Sequence, residues 1–182
     1  MVVDIANLAF VIQMRNSQKE VKMKEIIEHY DKLIDENNDP FHDSKALKDY
    51  MDKWDGIRFI ESMKLNKNKS VLEIGVGTGR LAIKVAPLCQ LFFGIDVSPK
   101  SISRAAENLS SCRNIKLICD DFMSFEFSDS FDVIYSSLTF MHIEDKLSAF
   151  KKIALLLNNN GIFVLSIDKN RDKFIDMGTR KI

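Results

Sequence analysis

The chain has 182 residues, 46% of them hydrophobic, which is enough for one α/β domain with a core of its own. Its 26 basic and 26 acidic residues cancel, and no basic block or basic–aromatic tract gives nucleic-acid binding electrostatic support. The apolar run over residues 5–14 is too short to cross a bilayer and lacks the basic flank and small-residue cleavage site of a secretory signal, so no membrane association is expected.

From Met23, the positions Ile26, Ile27, Tyr30, Leu33 and Ile34 follow helical spacing, and Asn37-Asn38-Asp39-Pro40 ends that helix. Ser44 caps a second helix, in which Leu47, Tyr50, Met51, Trp54, Ile57 and Ile60 form one apolar stripe. Then Val71-Leu72-Glu73-Ile74 reads as a strand running into Gly75-Val76-Gly77-Thr78-Gly79-Arg80, with a helical pattern from Leu81 to Ala86. Strand, glycine turn and helix start form a nucleotide-binding corner, because glycine reaches unusual backbone angles and has no Cβ to block a ligand. The spacing narrows the ligand. A dinucleotide fingerprint needs its third glycine one residue later, where Arg80 stands, and the Gly-Lys-Ser/Thr of a phosphate loop is absent. Glu73 repels a pyrophosphate and suits a cationic ligand.

The next strand, Leu91 to Ile95, ends at Asp96, 21 residues after Gly75. A carboxylate about 20 residues past a glycine turn is placed to accept bonds from ribose hydroxyls, the alternative being a solvated loop carboxylate. Ser98 and Pro99 supply an N-cap and a first helical residue. A third strand, Ile115 to Cys119, ends in Asp120-Asp121-Phe122, for which a cap or turn is the plain reading. A fourth begins at Phe131-Asp132, with Asp132 as a capping residue, and brings Ser136, Ser137 and Leu138 to its carboxyl end, the end that faces the ligand crevice in open parallel sheets. A helix over Lys146–Leu157 is expected to turn Leu147, Phe150, Ile153, Ala154 and Leu157 inward. Asn158-Asn159-Asn160-Gly161 then stops it, with Gly161 left-handed, before a fifth strand at Ile162–Ile167. Strands alternating with helices imply a doubly wound, mostly parallel α/β sheet in a single domain. Cys89, Cys112 and Cys119 show no metal-ligand spacing and read as reduced thiols, so no metal is expected and a cytoplasmic chain fits.

The four ordered stretches between residues 40 and 168 resemble the motifs of class I S-adenosylmethionine-dependent methyltransferases, whose Rossmann-like fold begins acidic-x-Gly-x-Gly-x-Gly. The resemblance implies S-adenosylmethionine as cofactor, held by Glu73, Gly75, Val76, Gly77, Gly79, Asp96, Val97, Asp120, Asp121, Phe122, Ser136 and Ser137. In it Asp96 meets the ribose, Asp120 meets the adenine amine, and Asp121 and Phe122 border the ring. His142 is placed as a candidate general base, or as a residue that shapes the pocket or touches the acceptor. The N-terminal helices of such proteins form part of a substrate lid, which makes Tyr30, His42 and Trp54 candidates for that surface, with core packing the alternative for Trp54.

Residues 1–22 do not match the family and read as an N-terminal extension. Residues 23–64 are the helices and lid, 65–168 the cofactor core, and 169–182 a charged tail. The family adds two strands after the fifth, so the expectation is a shortened sheet or a fragment of a longer protein. The sulfonium of the cofactor is already electrophilic, so the implied reaction needs mainly alignment and water exclusion. The end of the fourth strand lacks the Asn/Asp-Pro-Pro-Tyr/Phe and Pro-Cys signatures of nucleic-acid methylases, which points to a small-molecule acceptor. The alternative is a non-catalytic module that binds the cofactor and acts as a partner or regulator. A nicotinamide-dependent oxidoreductase is opposed by the glycine spacing and by Glu73.

Overall fold

The computed structural model describes residues 5–167, with side chains from residue 17 onward. No helix among these residues is long and apolar enough to cross a membrane. The tail expected at 169–182 lies outside the described residues.

Helix α1 spans Ile5–Asp35 without interruption, so Met23 marks no break and the expected extension continues the same helix inward. Asn37 ends it in the left-handed region at φ 54°, while the Asn38 amide bonds back to the Leu33 carbonyl at 2.8 Å. Helix α2 is Lys45–Asp55, capped by the Ser44 hydroxyl as expected. The expected long stripe does not continue through it. Gly56 breaks the helix, a short α3 follows at Ile57–Ser62, and Tyr50, Trp54 and Ile57 are solvent-exposed. Of the stripe, Ile60 packs against the core, and Phe59 and Met63 are the buried apolar residues of this layer.

Five strands follow: β1 Ser70–Ile74, β2 Leu91–Asp96, β3 Ile115–Cys119, β4 Phe131–Ser137 and β5 Leu157–Ser166. They form one sheet in the order β3-β2-β1-β4-β5, with every described pairing parallel. Between them lie α4 at Ala82–Val85, α5 at Pro99–Asn108 and α6 at Lys146–Leu156. Alternate residues of each strand enter two different cores. Val71, Phe92, Val133 and Tyr135 pack with Phe59, Val85, Ala105 and Leu109 on one face. Leu72, Ile74, Phe93, Ile95 and Ile134 pack with Phe122, Phe140, Ala149 and Ile153 on the other. Burial on both faces explains why β1, β2 and β4 read as continuous apolar runs. The doubly wound sheet expected from the strand–helix alternation is present.

Two local expectations fail. Helix α6 buries Ile153 as expected, together with Ala149, but Leu147 is 66% exposed and Phe150 is 43% exposed, with its ring against Phe140 and Phe163. The asparagine run does not stop a helix ahead of the strand. It forms an irregularity within β5, between the pairs Phe131–Leu157 and Val133–Ile162, and the left-handed residue is Asn160 at φ 62°, not Gly161. Asp132 takes the structural role expected of it. Its Oδ2 accepts the Ser70 amide at 2.8 Å and its Oδ1 accepts from Asn158, fastening the start of β4 to β1 and β5.

Candidate cofactor site

The carboxyl ends of β1, β2, β3 and β4 and the turns that follow them lie along one edge of the sheet, and α1 crosses them. The turn after β1 holds three glycines in the left-handed region, at φ 79°, 53° and 90° for Gly75, Gly77 and Gly79. Space around them differs. A Cβ on Gly75 would meet Thr139 Oγ1 at 2.0 Å, and one on Gly79 would meet Leu109 Cδ1 at 2.9 Å. One on Gly77 meets nothing within 4 Å. Gly75 and Gly79 are thus required by the fold around them, and Gly77 alone faces open space.

Four amides of the turn are already bonded within the protein. Those of Gly75 and Val76 donate to the Ile95 carbonyl at 2.8 and 3.1 Å, and that of Gly79 to the Val76 carbonyl at 3.0 Å. The Gly77 amide donates to Asp96 Oδ2 at 2.9 Å, and the other oxygen of Asp96 accepts the Ser98 amide at 3.0 Å. Amides engaged in this way do not cradle a phosphate, in keeping with a glycine spacing that matches no phosphate-binding motif. Burial, the largest influence, raises the Asp96 carboxyl above its ordinary range, although the amides of Ser98, Gly77 and Val97 pull it down.

The other expected residues separate into three groups. Glu73, Val76, Phe122 and Ser136 have buried side chains. Val76 and Phe122 belong to the two cores, so only their backbone can border a ligand. Ser136 donates to the Ile74 carbonyl at 2.8 Å. Glu73 is 3% exposed and accepts the Tyr135 hydroxyl at 2.8 Å. Burial pushes its carboxyl up to about 8, although Tyr135 and Arg80 pull it down. Glu73 lies beneath the glycine turn and does not project from it. Asp120 is exposed at the end of β3, where its Oδ1 accepts the Asp121 amide at 2.7 Å. Asp121 takes the plain reading, capping the next turn through the Met123 amide at 2.9 Å.

Three N-terminal residues and His142 complete the picture. Tyr30 Oη lies 2.8 Å from His142 Nε2, so α1 places one expected lid residue on the expected base. Burial raises the Tyr30 phenol above its ordinary value, helped by the charge of Asp96, and burial lowers the His142 imidazole below its own. Both groups are neutral near pH 7. His42 stands farther out, bonded to Asn108 Oδ1 at 3.2 Å. Trp54 is 50% exposed and lines a shallow hollow with Lys53, Ile57 and Arg58, so it is not a core residue.

Several anchoring residues carried no sequence signal of their own. Asp31 accepts from the Ser98 hydroxyl at 2.6 Å, which docks α1 on the start of α5. Asp39 is buried and accepts from Arg104 and Asn108, while Asn108 also donates to the Thr78 carbonyl of the glycine turn. Burial pushes the Asp39 carboxyl up, but the Thr78 hydroxyl beside it and the bonds from Asn108, the Phe41 amide and Arg104 outweigh that and hold it below its ordinary range. Asp55, Arg80 and Ser137 form a further, partly buried cluster near Glu73. Each joins residues far apart in sequence, which periodicity and motif spacing do not register.

Comparison with known proteins agrees with this geometry. The methyltransferase domain family matches residues 65–179. The malonyl-[acyl-carrier protein] O-methyltransferase 1 of Ilyobacter polytropus is 29% identical over 111 residues, which cover 59% of this chain and 41% of that protein. An uncharacterized methyltransferase of Bacillus mycoides is 36% identical over 114 residues, covering 59% of this chain and 53% of its own length. The chain thus spans about half the length of the curated relatives it matches. In fold it resembles the Haemonchus contortus phosphoethanolamine N-methyltransferase 1, solved with phosphoethanolamine and S-adenosylhomocysteine, at a TM-score of 0.66 and 20% identity over 80% of this chain and 32% of that one. A glycine turn after the first strand, a carboxylate closing the second and a family match that runs through all five strands have one common source: the chain belongs to the class I S-adenosylmethionine-dependent methyltransferases and has their Rossmann-like fold.

Proposed function

We propose that this chain binds S-adenosylmethionine along the carboxyl ends of β1, β2 and β3 and transfers its methyl group to a small-molecule acceptor. The observation that carries the reading is the bond from the Gly77 amide to Asp96. It welds the glycine turn to the carboxylate of the neighbouring strand, and beside it the missing Cβ of Gly77 leaves open space.

The residues present fit this cofactor. Its ribose needs acceptors, and the carboxylate of Asp96 has acceptor capacity beyond the backbone amides it takes. Its adenine amine needs an acceptor at the next strand end, where Asp120 is exposed. It carries no phosphate, and the turn's bonded amides offer none a cradle. The cofactor supplies a sulfonium methyl that is already electrophilic. The protein's part is to hold the acceptor in line and keep water away. Helix α1 docks beside the strand ends through Tyr30 and Asp31, and this reading gives His142, neutral near pH 7, the role of shaping the acceptor pocket or taking the acceptor's proton.

Support for a small acceptor comes from the absence of a planar-amine signature after β4, where the sequence reads Ser136-Ser137-Leu138-Thr139. The free thiols Cys89, Cys112 and Cys119 support a cytoplasmic setting. Isothermal titration with S-adenosylhomocysteine, followed by a methyl-transfer assay over a panel of small oxygen, nitrogen and sulfur nucleophiles, tests the reading. Saturable binding at one site with transfer to a panel member is expected. No binding overturns the reading, and binding without transfer to any acceptor favours a non-catalytic cofactor-binding module.

A further inference from the structure

Asp55 closes α2 and is fully buried, at 0% exposure. A carboxylate there is unfavourable on two counts. It meets the negative end of the helix dipole, and a buried charge is costly unless it is paired. Both costs are offset by contacts from two other parts of the chain. Arg80 Nη1 donates to Asp55 Oδ1 at 3.0 Å, and Arg80 Nη2 donates to Oδ2. Ser137 Oγ donates to the same Oδ2.

These two donors belong to the two turns beside the cofactor cleft. Arg80 follows Gly79 in the glycine turn. Ser137 ends β4, and its carbonyl accepts from Thr139 Oγ1 at 3.2 Å, the hydroxyl that overlies Gly75. Between Ser137 and Thr139, Leu138 is held in the left-handed region at φ 57°, with its amide on the Ser166 carbonyl at 3.0 Å. A bulky non-glycine residue adopts that conformation only where its surroundings impose it.

We propose that Asp55 is a positioning residue that joins the glycine turn to the turn after β4, and so sets the width of the cofactor cleft from a helix outside it. This rests on the cofactor reading above. It makes α2 part of the binding machinery, since rotation of α2 moves both turns together.

The test compares wild type, Asp55→Asn, the pair Asp55→Asn with Arg80→Met, and Ser137→Ala. The measurements are melting temperature, titration with S-adenosylhomocysteine, and hydrogen exchange at the Gly77 and Gly79 amides. Asp55→Asn alone strands a buried guanidinium and lowers the melting temperature. The pair removes that stranded charge and recovers most of the melting temperature. In the pair, affinity stays about tenfold or more below wild type and both amides exchange faster, because the two turns are no longer joined. A purely structural pair predicts the opposite, so recovery of wild-type affinity and protection in the double variant overturns the inference. If the double variant does not fold, Ser137→Ala decides, since it leaves the ion pair whole. Wild-type affinity and protection in Ser137→Ala overturn the inference, as does an affinity loss with protection unchanged, while a loss of about threefold or more in affinity together with faster exchange at both glycine amides supports it. If the wild type itself does not bind S-adenosylhomocysteine, the cofactor reading falls, and amide exchange alone judges the role of Asp55.

Discussion

Tyr30 and His142, 112 residues apart in sequence, share a hydrogen bond of 2.8 Å that fastens α1 to the turn after β4. The two rings also meet edge to face, with centroids 5.6 Å apart. Because Nε2 is engaged by the phenol, His142 has a structural partner before any acceptor arrives. We therefore expect His142 to shape the pocket more than to take a proton.

That expectation has a direct measurement. Tyr30→Phe, His142→Ala and the double variant form a thermodynamic cycle, and a coupling of about 1 kcal/mol is expected for this part-buried bond. Once an acceptor is known, His142→Ala is expected to raise its KM several-fold and keep most of kcat. A kcat loss of about 10²-fold with KM unmoved, together with a wild-type rate that climbs through an imidazole titration, would instead establish general base catalysis.

Glu73 makes stability depend on pH. Burial raises its carboxyl from the ordinary 4.5 to about 8, so the folded chain holds this proton more tightly than the unfolded chain does. The stabilisation is fully present below 4.5 and is lost as pH rises through about 8, a contribution on the order of 5 kcal/mol. His142, whose imidazole is lowered, acts in the opposite sense, adding stability as pH rises through its ordinary 6.5. Glu73→Gln keeps an acceptor for Tyr135 and removes the titration. Melting temperature measured from pH 5 to 8 should fall more in wild type than in Glu73→Gln. Parallel curves would show that Glu73 is already ionised in the folded chain.

Asp96 does two jobs, and its removal should show both. Losing the acceptor for the Gly77 and Ser98 amides is expected to cost about 1–3 kcal/mol of stability. S-adenosylhomocysteine affinity should fall by a similar amount, through the ribose partners left unpaired. Asp96→Asn keeps one acceptor and should retain part of the stability while losing most of the affinity. Denaturant unfolding beside titration separates the two, and loss of stability with affinity intact would confine Asp96 to a structural role.

The glycine turn and the strand ends of the candidate site were legible because their signals are local. Gly75, Gly77, Gly79, Asp96, Ser98 and Pro99 all lie within a span of 25 residues, and each strand end is marked by a carboxylate or hydroxyl. Helix faces were less legible. In α6 the expected row of Leu147, Phe150, Ile153, Ala154 and Leu157 holds at Ile153 but not at Leu147, because Ala149, Ile153 and Leu156 also repeat at helical spacing and periodicity cannot say which row meets the sheet. The α2 stripe failed for a related reason: spacing shows that Tyr50, Trp54 and Ile57 share a face, but not that anything covers it. Asp55 was invisible because its partners stand 25 and 82 residues away, and a lone aspartate in a charged helix reads as solvated. Thr139 escaped notice because its role is to overlie Gly75, in the turn after a different strand.

The glycines offer the sharpest separation of fold from ligand. Both Gly75 and Gly77 have positive φ, so alanine at either position costs about 1 kcal/mol in backbone strain. There the similarity ends. At Gly75 the new methyl would lie 2.0 Å from Thr139 Oγ1, so that side chain must leave and the turn after β4 must shift. Gly75→Ala should therefore be destabilised well beyond the strain, and Gly75→Ala with Thr139→Gly should recover much of that loss. At Gly77 the methyl meets no protein atom within 4 Å, so Gly77→Ala should fold with only the strain cost. It should nonetheless lose S-adenosylhomocysteine binding by about tenfold or more, because the methyl enters the space assigned to the ligand. Calorimetric melting and titration of the three variants check all of this together. A Gly77→Ala chain that melts near wild type and binds as wild type would place the ligand elsewhere.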